Sequence, residues 1–381
     1  MKKNLLLPII AAMLAFSSCN VEKKPAADLN SFRFQEFTID QLQEGYSNGD
    51  FTVTEVVQAY LDRITAIDDR GPMLNAVIQI NPEALGIAQM LDSGIRDGIA
   101  RGPMYGVPVL LKDNIDTHDQ METTAGSRAL LGSHPLQDSE VARRLREAGA
   151  VIIGKANLSE WANFRGNLSS SGWSGVGGQT KNPYILDRNP CGSSSGSGVS
   201  VSANLCMIAI GTETNGSIVC PSTANGIVGI KPTVGLLSRR GIVPISFTQD
   251  TPGPMARTVK DAAIALGVMT GIDQGDSKTL VSDGKYLTDY TPFLKEDGLK
   301  GKRIGWFTSA RGIHFKVDTL MQKTVDFIRS QGAEVIEIDR IYGREVESLS
   351  FEVMLYEFKD GLNKYFASLG EAAPVKSVEE L

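Results

Sequence analysis

Two segments, GSSSGSG at residues 192–198 and GTETNGSIVCP at residues 211–221, decide how the chain is interpreted. Both lie within residues 189–230, a stretch of 42 positions whose single formal charge is Glu213. Such a stretch is most easily buried, and its glycines let backbones approach each other or a ligand closely. Composition alone favours close-packed strands and turns whose serines bond to the backbone, with hydroxyl chemistry as the alternative.

Around this centre, short apolar runs alternate with helical patterns. Thr52 and Glu55 form a capping box, and the apolar spacing behind it predicts an amphipathic helix from Val53 to Ile64. Alternation on this scale predicts an α/β fold with helices packed on a mostly buried sheet. The predicted strands are 76–80, 107–111, 151–153, 207–210, 227–230, 303–306 and 334–338, and the further predicted helices are 139–148, 259–270, 317–331 and 345–366.

The two ends of the chain suggest a signal and an incomplete C-terminus. Lys2 and Lys3, the apolar run Leu5–Phe16 and the small residues before Cys19 are typical of a bacterial lipoprotein export signal. We therefore expect a signal peptide at 1–18, a tether at 19–35 lipidated on Cys19, and one domain at 36–381, exported to the periplasm or cell envelope. A plain secretory signal is the alternative. Ser377 and Glu380 form a second capping box, which predicts the start of a helix, but the sequence ends one residue later at Leu381. This pattern predicts a fragment of a longer protein.

Composition excludes several classes of function. The chain has 381 residues and a net charge of −6, and it has no dense basic stretch, which disfavours nucleic acid as a partner. Its longest apolar run is shorter than the roughly 20 residues that a membrane helix needs, which excludes a polytopic membrane protein. Three histidines, four cysteines and no C-x-x-C or H-E-x-x-H pattern leave little for a metal site, so we expect no metal and no cofactor.

The cysteines that remain after Cys19 are Cys191, Cys206 and Cys220. An odd number cannot form a complete disulfide framework. Cys206 lies in an apolar run and is predicted to be a small core residue.

With GVPVLLKDN at 106–114, which places Lys112 at the end of an apolar strand, the two central segments resemble the amidase signature family of serine hydrolases. The similarity runs from about Leu42 to about Gly271 and includes KANLSEW at 155–161 and GIKPT at 229–233. Within the family, residues 211–221 look most like the bacterial peptide amidases.

The resemblance implies a fold, a triad and a reaction. The fold is one large mixed sheet covered by helices on both faces, and the reaction is amide hydrolysis through an acyl-enzyme. The bridging serine follows a cis peptide bond in this family. The residues carried over are the nucleophile Ser217, the bridging serine Ser193, the base Lys112 and, for the oxyanion, the backbone N–H groups of Thr214, Asn215 and Gly216.

This chemistry makes a demand on Lys112 that a structure can test. A serine hydroxyl needs a base to take its proton, and a lysine base must be neutral, although the usual lysine pKa is about 10.4. The pKa has to fall by roughly 3 units, which burial can supply. The apolar run Val107–Leu111 fits such burial, and strand alternation turns Asp113, which would oppose the shift, to the other face.

Three rival interpretations remain. GSSSG also fits G-x-S-x-G, the nucleophile elbow of α/β-hydrolases, with Ser194 as nucleophile and His314 as the sole downstream histidine. Residues 189–191 before it are poor strand material, which counts against this assignment. A surface lipoprotein could also bind a ligand without turnover. An amidotransferase subunit acting on charged tRNA is disfavoured by the export signal and the acidic charge.

Val219 guides the expected substrate. Some relatives carry an arginine at this position, so a substrate carboxylate is not expected there. We expect an amide with an uncharged end, such as a C-terminally amidated peptide or a simple aliphatic or aryl amide.

Overall fold

A six-stranded mixed sheet runs through the centre of the protein, seen here in a computed structural model that describes residues 32–99, 102–343 and 345–381. The strands are β1 (Val77–Ile80), β2 (Pro108–Lys112), β3 (Val151–Ala156), β4 (Trp173–Ser174), β5 (Gly178–Gln179), β6 (Ile208–Glu213), β7 (Val228–Gly229), β8 (Thr251–Ala256), β9 (Arg303–Phe307) and β10 (Glu334–Ile338). The sheet has the order β1-β3-β2-β6-β8-β7, with β3, β2 and β6 parallel and the other pairs antiparallel. Two small sheets, β9–β10 and β4–β5, lie outside it.

Helices flank this sheet, which confirms the predicted α/β fold. They are α1 (Ile39–Asn48), α2 (Val53–Ile64), α3 (Ala84–Arg96), α4 (Glu140–Glu147), α5 (Ser195–Ser202), α6 (Val219–Ala224), α7 (Val259–Met269), α8 (Phe315–Ser330) and α9 (Glu345–Ser368). Every residue of β2, β3 and β6 is buried, as expected for parallel strands with covered faces. The capping box at Thr52 is confirmed, since its side chain accepts from Glu55 N and Glu55 returns the bond.

Two elements contradict simple propensity. Helix α5 has the sequence SGSGVSVS, poor helix-forming material, and it forms because it is buried against β2 and β6. Strand β8 lies between β6 and β7 and still contains Pro252 and Pro254. The carbonyl of Pro254 accepts from Ile230 N, so Pro254 turns its hydrogen-bonding side toward β7. Strand β7 is only two residues long, so the N–H that Pro254 lacks is not needed there.

Other predictions fall at the ends of the chain. The predicted capping box at Ser377 is wrong: a short 3-10 helix (Val378–Glu380) follows Ser377, whose side chain makes no capping hydrogen bond. The predicted signal peptide, with Cys19 and most of the tether, lies outside the described residues. In the part that is described, no helix combines the length and hydropathy needed to cross a membrane.

Candidate active site

A cavity of about 330 Å³ opens beside the ends of β2 and β6, and the two central segments of the sequence meet there. Ser193 and Ser217 both line it, together with Thr212 at the end of β6. One part of its wall is apolar and is formed by Ala162, Ile242, Val243, Pro244, Ile245, Phe247 and Pro252. Another part is polar or charged and includes Asn114, Thr214, Arg239, Arg240, Asp250, Thr251, Asp276 and Lys364.

Lys112, the last residue of β2, lies behind this wall and is fully buried. Its Nζ is 2.8 Å from Ser193 Oγ, 2.8 Å from Thr212 Oγ1 and 3.3 Å from the Thr212 carbonyl oxygen. The lysine therefore contacts hydroxyl and carbonyl oxygens and forms no ion pair within the described residues.

Burial without a bound carboxylate changes the acidity of this lysine. Burial lowers the pKa of Lys112 to about 7, although the negative charges of Asp250 and Glu213 act in the opposite direction. The expected orientation of Asp113 is confirmed, because its carboxylate contacts Thr124 and not Lys112. The carboxylate accepts from the Thr124 hydroxyl and from Thr124 N at 3.2 Å. Lys112 can thus be neutral near pH 7.

The backbone around Ser193 leaves no room for a side chain at Gly192 or Gly196. The Gly192–Ser193 peptide bond is cis, as the family resemblance implies. A Cβ on Gly192 would lie 2.4 Å from Ser159 Oγ, and one on Gly196 would lie 2.2 Å from Ala76 O. Glycine at 192 and 196 lets this segment approach its neighbours closely enough to bring Ser193 to the lysine.

Ser217 lies in the turn between β6 and α6. The Glu213 carboxylate closes this turn by accepting from Ile218 N at 2.7 Å and Val219 N at 2.9 Å. Gly216 supplies the left-handed conformation that the turn requires, with φ of 87°. Ser194 N donates to Ser217 O at 3.1 Å, which fixes the two serine segments side by side.

The three residues predicted for the oxyanion lie on the same turn. The backbone N–H groups of Thr214, Asn215 and Gly216 have no acceptor among the described residues. The Thr214 hydroxyl is anchored by Asp250, whose other oxygen accepts from Ile245 N and Ser246 N, both at 2.8 Å. Of the three residues, Thr214 lines the cavity and Asn215 and Gly216 do not, so the oxyanion role of these N–H groups stays a prediction.

The rival pair Ser194 and His314 is not brought together at this cavity, since neither residue lines it. Ser194 is buried, and its hydroxyl is engaged with the backbone of Thr212, to O at 3.1 Å and from N at 3.2 Å. His314 is exposed at the start of α8 and stacks on Phe315. The bonding of Ser194 is structural, as the composition had suggested for the serines of this region.

Several contributors to the site were missed by the sequence interpretation. Thr212 supplies the second hydroxyl to Lys112, from a position 100 residues away. A disulfide joins Cys191, directly before the first segment, to Cys220 in the second segment, and Cys206 is a free core cysteine as predicted. The available signal was that one cysteine lies directly before the first segment and another lies three residues after Ser217. Within the described residues, no group of three or more His, Cys, Asp or Glu side chains could hold a metal ion.

Known proteins match most of this chain. A model of the amidase family matches residues 55–381. A probable amidase of Arabidopsis thaliana is 43% identical over 361 residues, which cover 92% of this chain and 68% of the relative. A putative amidase of Schizosaccharomyces pombe is 43% identical over 353 residues, which cover 91% of this chain and 58% of that relative. The X-ray structure of native peptide amidase from Stenotrophomonas maltophilia is 49% identical, with a TM-score of 0.87, over 92% of this chain and 71% of that one.

Proposed function

The chain belongs to the amidase family, and from this premise we propose that it hydrolyses a carboxamide C–N bond through an acyl-enzyme on Ser217. The observation that carries the proposal is the contact of 2.8 Å between Ser193 Oγ and the Nζ of a buried lysine whose pKa is about 7. A neutral lysine beside a serine hydroxyl is a base that can work at physiological pH.

In the acylation step, Ser217 Oγ attacks the carbonyl carbon of the amide. Its proton passes to Ser193 Oγ as the Ser193 proton passes to neutral Lys112 Nζ. The oxyanion that forms accepts hydrogen bonds from the free N–H groups of the turn before Ser217, each worth roughly 3 kcal/mol in well-placed sites.

Collapse of this intermediate breaks the C–N bond. The leaving nitrogen takes a proton from Lys112 through Ser193 and departs as ammonia or an amine. Water then attacks the Ser217 ester and gives its proton to the same relay. Breakdown of that second intermediate returns a proton to Ser217 Oγ and releases the carboxylic acid, so the triad ends as it began.

Fluorophosphonate labelling with peptide mass spectrometry tests this assignment. We expect an adduct on Ser217 that is lost in Lys112→Ala. An adduct on Ser194 would replace the proposal with an α/β-hydrolase mechanism. A folded protein with no adduct would favour the non-catalytic binding function.

For the substrate, we propose an amide with an uncharged end, either a C-terminally amidated peptide or an aliphatic or aryl amide of the kind cleaved by general amidases. The apolar part of the cavity wall and the apolar, half-exposed Val219 support this choice. Hydrolysis of amidated peptides and of carboxylate-ended amides should be compared side by side. Preference for the carboxylate-ended compounds would exclude the proposed class.

We further propose that the protein is exported to the cell envelope and lipidated on Cys19. The Cys191–Cys220 disulfide supports export, because disulfides persist in oxidising compartments. The intact mass of the mature protein tests this. A diacylglyceryl-modified Cys19 at the N-terminus supports it, and an unprocessed N-terminus contradicts it.

A further inference from the structure

Residues 244–250, which we call the cavity loop, form part of the cavity wall and belong to no helix or strand. The loop residues that line the cavity are Pro244, Ile245, Phe247 and Asp250. Three of these four are apolar, so the loop supplies much of the apolar part of the wall. Because no helical or sheet hydrogen bonds fix its backbone, the position of the loop depends on its contacts with neighbouring elements.

One anchor ties the cavity loop to the turn that carries Ser217. Asp250, the last residue of the loop, accepts from the Thr214 hydroxyl with one carboxylate oxygen. The other oxygen accepts from Ile245 N and Ser246 N, both at 2.8 Å. Asp250 therefore holds this end of the loop beside the Ser217 turn.

A second anchor comes from α9. Glu357 accepts through Oε2 from the Ser246 hydroxyl, from Thr248 N at 3.1 Å and from Thr248 Oγ1 at 2.9 Å. Ser350 and Gln249 exchange two further hydrogen bonds, at 2.7 Å and 3.3 Å. Hydrogen bonds to a carboxylate are about twice as strong as those between neutral groups, so Glu357 makes the stronger of the two contacts.

The Glu357 carboxylate is committed to the cavity loop. It forms no ion pair within the described residues, and it does not line the cavity. Around this anchor, α9 packs closely against the loop. A Cβ on Gly361 would lie 2.9 Å from Pro244 Cγ, and Met354 is buried in one cluster with Ile245. A shift of the loop away from α9 would therefore move the apolar wall.

We propose that Glu357 is a positioning residue for this wall and thereby determines how well the protein binds amides that carry a bulky apolar group. This inference rests on the proposed amidase function and assigns part of its substrate selection to a residue outside the cavity.

The position of Glu357 predicts which kinetic constant changes. An apolar group that rests on the wall makes the same contacts before and during the reaction, so a displaced wall weakens binding of the ground state and the transition state alike. The Asp250 anchor remains without Glu357, so Thr214 should keep its place beside Ser217. The change should therefore appear in KM and not in kcat.

The test compares 3-phenylpropionamide with propionamide, which share the scissile carboxamide and differ in the phenyl ring. In the full chain, Glu357→Ala removes all three hydrogen bonds. We expect KM for 3-phenylpropionamide to rise by about 5-fold or more at nearly unchanged kcat, and KM for propionamide to change by less than about 2-fold. Glu357→Gln, which keeps one acceptor oxygen without the charge, should give an intermediate KM.

Glu352→Ala is the matched control. Glu352 is exposed on the same helix and is not among the residues that bond to the cavity loop. Its replacement should leave both KM values unchanged. Equal rises for the two amides in Glu357→Ala, or the same selective rise in Glu352→Ala, would overturn the inference.

The same contacts can be removed from the loop, which also covers the case that Glu357→Ala folds poorly. Ser246→Ala/Thr248→Ala removes both hydroxyls and should raise KM for 3-phenylpropionamide selectively. Adding Glu357→Ala to this variant should raise KM by less than about 2-fold further, because changes that break one set of contacts are not additive. Effects that multiply would mean that Glu357 acts through the stability of α9 and not through the loop.

Two measurements separate this inference from the proposed chemistry. Hydrogen exchange with mass spectrometry should be faster at residues 246–250 in Glu357→Ala than in the wild type or in Glu352→Ala. In a Ser217→Ala background, calorimetry with 3-phenylpropionamide should show weaker binding when Glu357→Ala is added and unchanged binding when Glu352→Ala is added.

The outcomes of these measurements are distinct. If the wild type hydrolyses neither amide but both patterns hold, the hydrolytic function fails and the positioning role of Glu357 stands. If binding is the same in all three proteins, the positioning role is wrong even where hydrolysis is observed, whether or not exchange in the loop becomes faster.

Discussion

Two lysines are buried at the ends of neighbouring parallel strands, Lys112 on β2 and Lys155 on β3, and only one has the surroundings of a base. Both are fully inaccessible to solvent. Lys112 contacts the hydroxyls of Ser193 and Thr212 in the cavity wall. Lys155 donates to the Ile115 carbonyl at 2.7 Å and to Thr123 Oγ1 at 3.0 Å, away from the cavity.

The difference lies in the carboxylates around each ammonium group. Burial lowers the pKa of both lysines, but at Lys155 three aspartates oppose it, with Asp113 and Asp116 contributing most. At Lys112 two carboxylates, those of Asp250 and Glu213, oppose the effect of burial. At both sites the carboxylates bond to other groups, Asp250 to Thr214 and Glu213 to the backbone of the Ser217 turn, as Asp113 does to Thr124 and Asp116 to Tyr365. The opposing carboxylates and the hydroxyls of the cavity wall therefore distinguish two equally buried lysines, and only Lys112 has the surroundings that the proposed base requires.

Replacing Lys112 should give the largest effect on activity. Lys112→Met removes the base, and we expect kcat/KM for an amide substrate to fall by about 10³-fold or more. The fold should persist. The unfolded chain binds more protons than the folded one between pH 7 and about 10.4, so this lysine disfavours folding at pH 7. Kinetics and thermal melts check both points, and a loss of activity below 10-fold would contradict the role of base.

Replacing Lys155 should act on stability instead. Lys155→Met leaves the Ile115 carbonyl without its lysine donor and removes the cation that favours the ionised forms of Asp113 and Asp116. We expect this to lower the free energy of unfolding by about 1–3 kcal/mol. Urea unfolding measures this loss, and Lys155→Met/Asp116→Asn should recover part of it. The folded fraction should retain kcat within a few-fold. A stable but inactive Lys155→Met protein would show that the two lysines do not differ as argued.

The sequence predicted the surroundings of Lys112 and not those of Lys155, because the patterns around Lys112 are local. An apolar strand ending in Lys112 and two Gly/Ser-rich segments are visible within short windows, and the structure brings Lys112, Ser193 and Ser217 to one region. Their catalytic roles stay predictions. The α/β alternation and the helix after Thr52 were predictable for the same reason, since periodicity and capping are properties of neighbouring residues.

What could not be predicted depends on contacts between distant residues. Thr212 meets Lys112 across 100 positions, and no local pattern marks it as a partner. Propensity argued against α5 and β8, where burial and the short partner strand β7 decide the structure. Arg239 and Arg240 are adjacent residues of the same type, so only their different hydrogen-bond partners in the structure distinguish them.

The pH dependence of activity probes the charges around each lysine more finely. With the Lys112 pKa at about 7, kcat/KM should rise with pH through that value, as the lysine loses its proton. Asp250→Asn removes a negative charge that favours the ammonium form, which lowers the pKa of Lys112. The rising limb should therefore move to lower pH, by about one unit or less.

Asp116→Asn provides the matched control for this shift. It removes a carboxylate beside Lys155 and should leave the rising limb in place. A rising limb that moves equally in both variants would mean that the limb does not report on the surroundings of Lys112.

The disulfide should give the smallest effect, and it tests how the hydroxyls reach Lys112. Ser193 and Ser217 lie on two segments joined by Cys191–Cys220, whereas the contacts of Lys155 come from the single stretch 115–123. Opening the disulfide should loosen the relative positions of Ser193 and Ser217 and leave the contacts of Lys155 unchanged. We expect Cys191→Ser/Cys220→Ser to lower kcat by about 3- to 10-fold, because small misplacements of reacting groups are costly. Unfolding free energy should fall by about 2–4 kcal/mol.

Dithiothreitol distinguishes this constraint from other consequences of the substitutions. It should lower the kcat of the wild type to that of the double variant and leave the double variant unchanged. If the reduced wild type keeps its full kcat, the Ser194 N–Ser217 O bond and the packing of α5 suffice to hold the two segments together. The covalent link would then contribute to stability alone, and the two lysine sites would differ in charge but not in how their contacts are held.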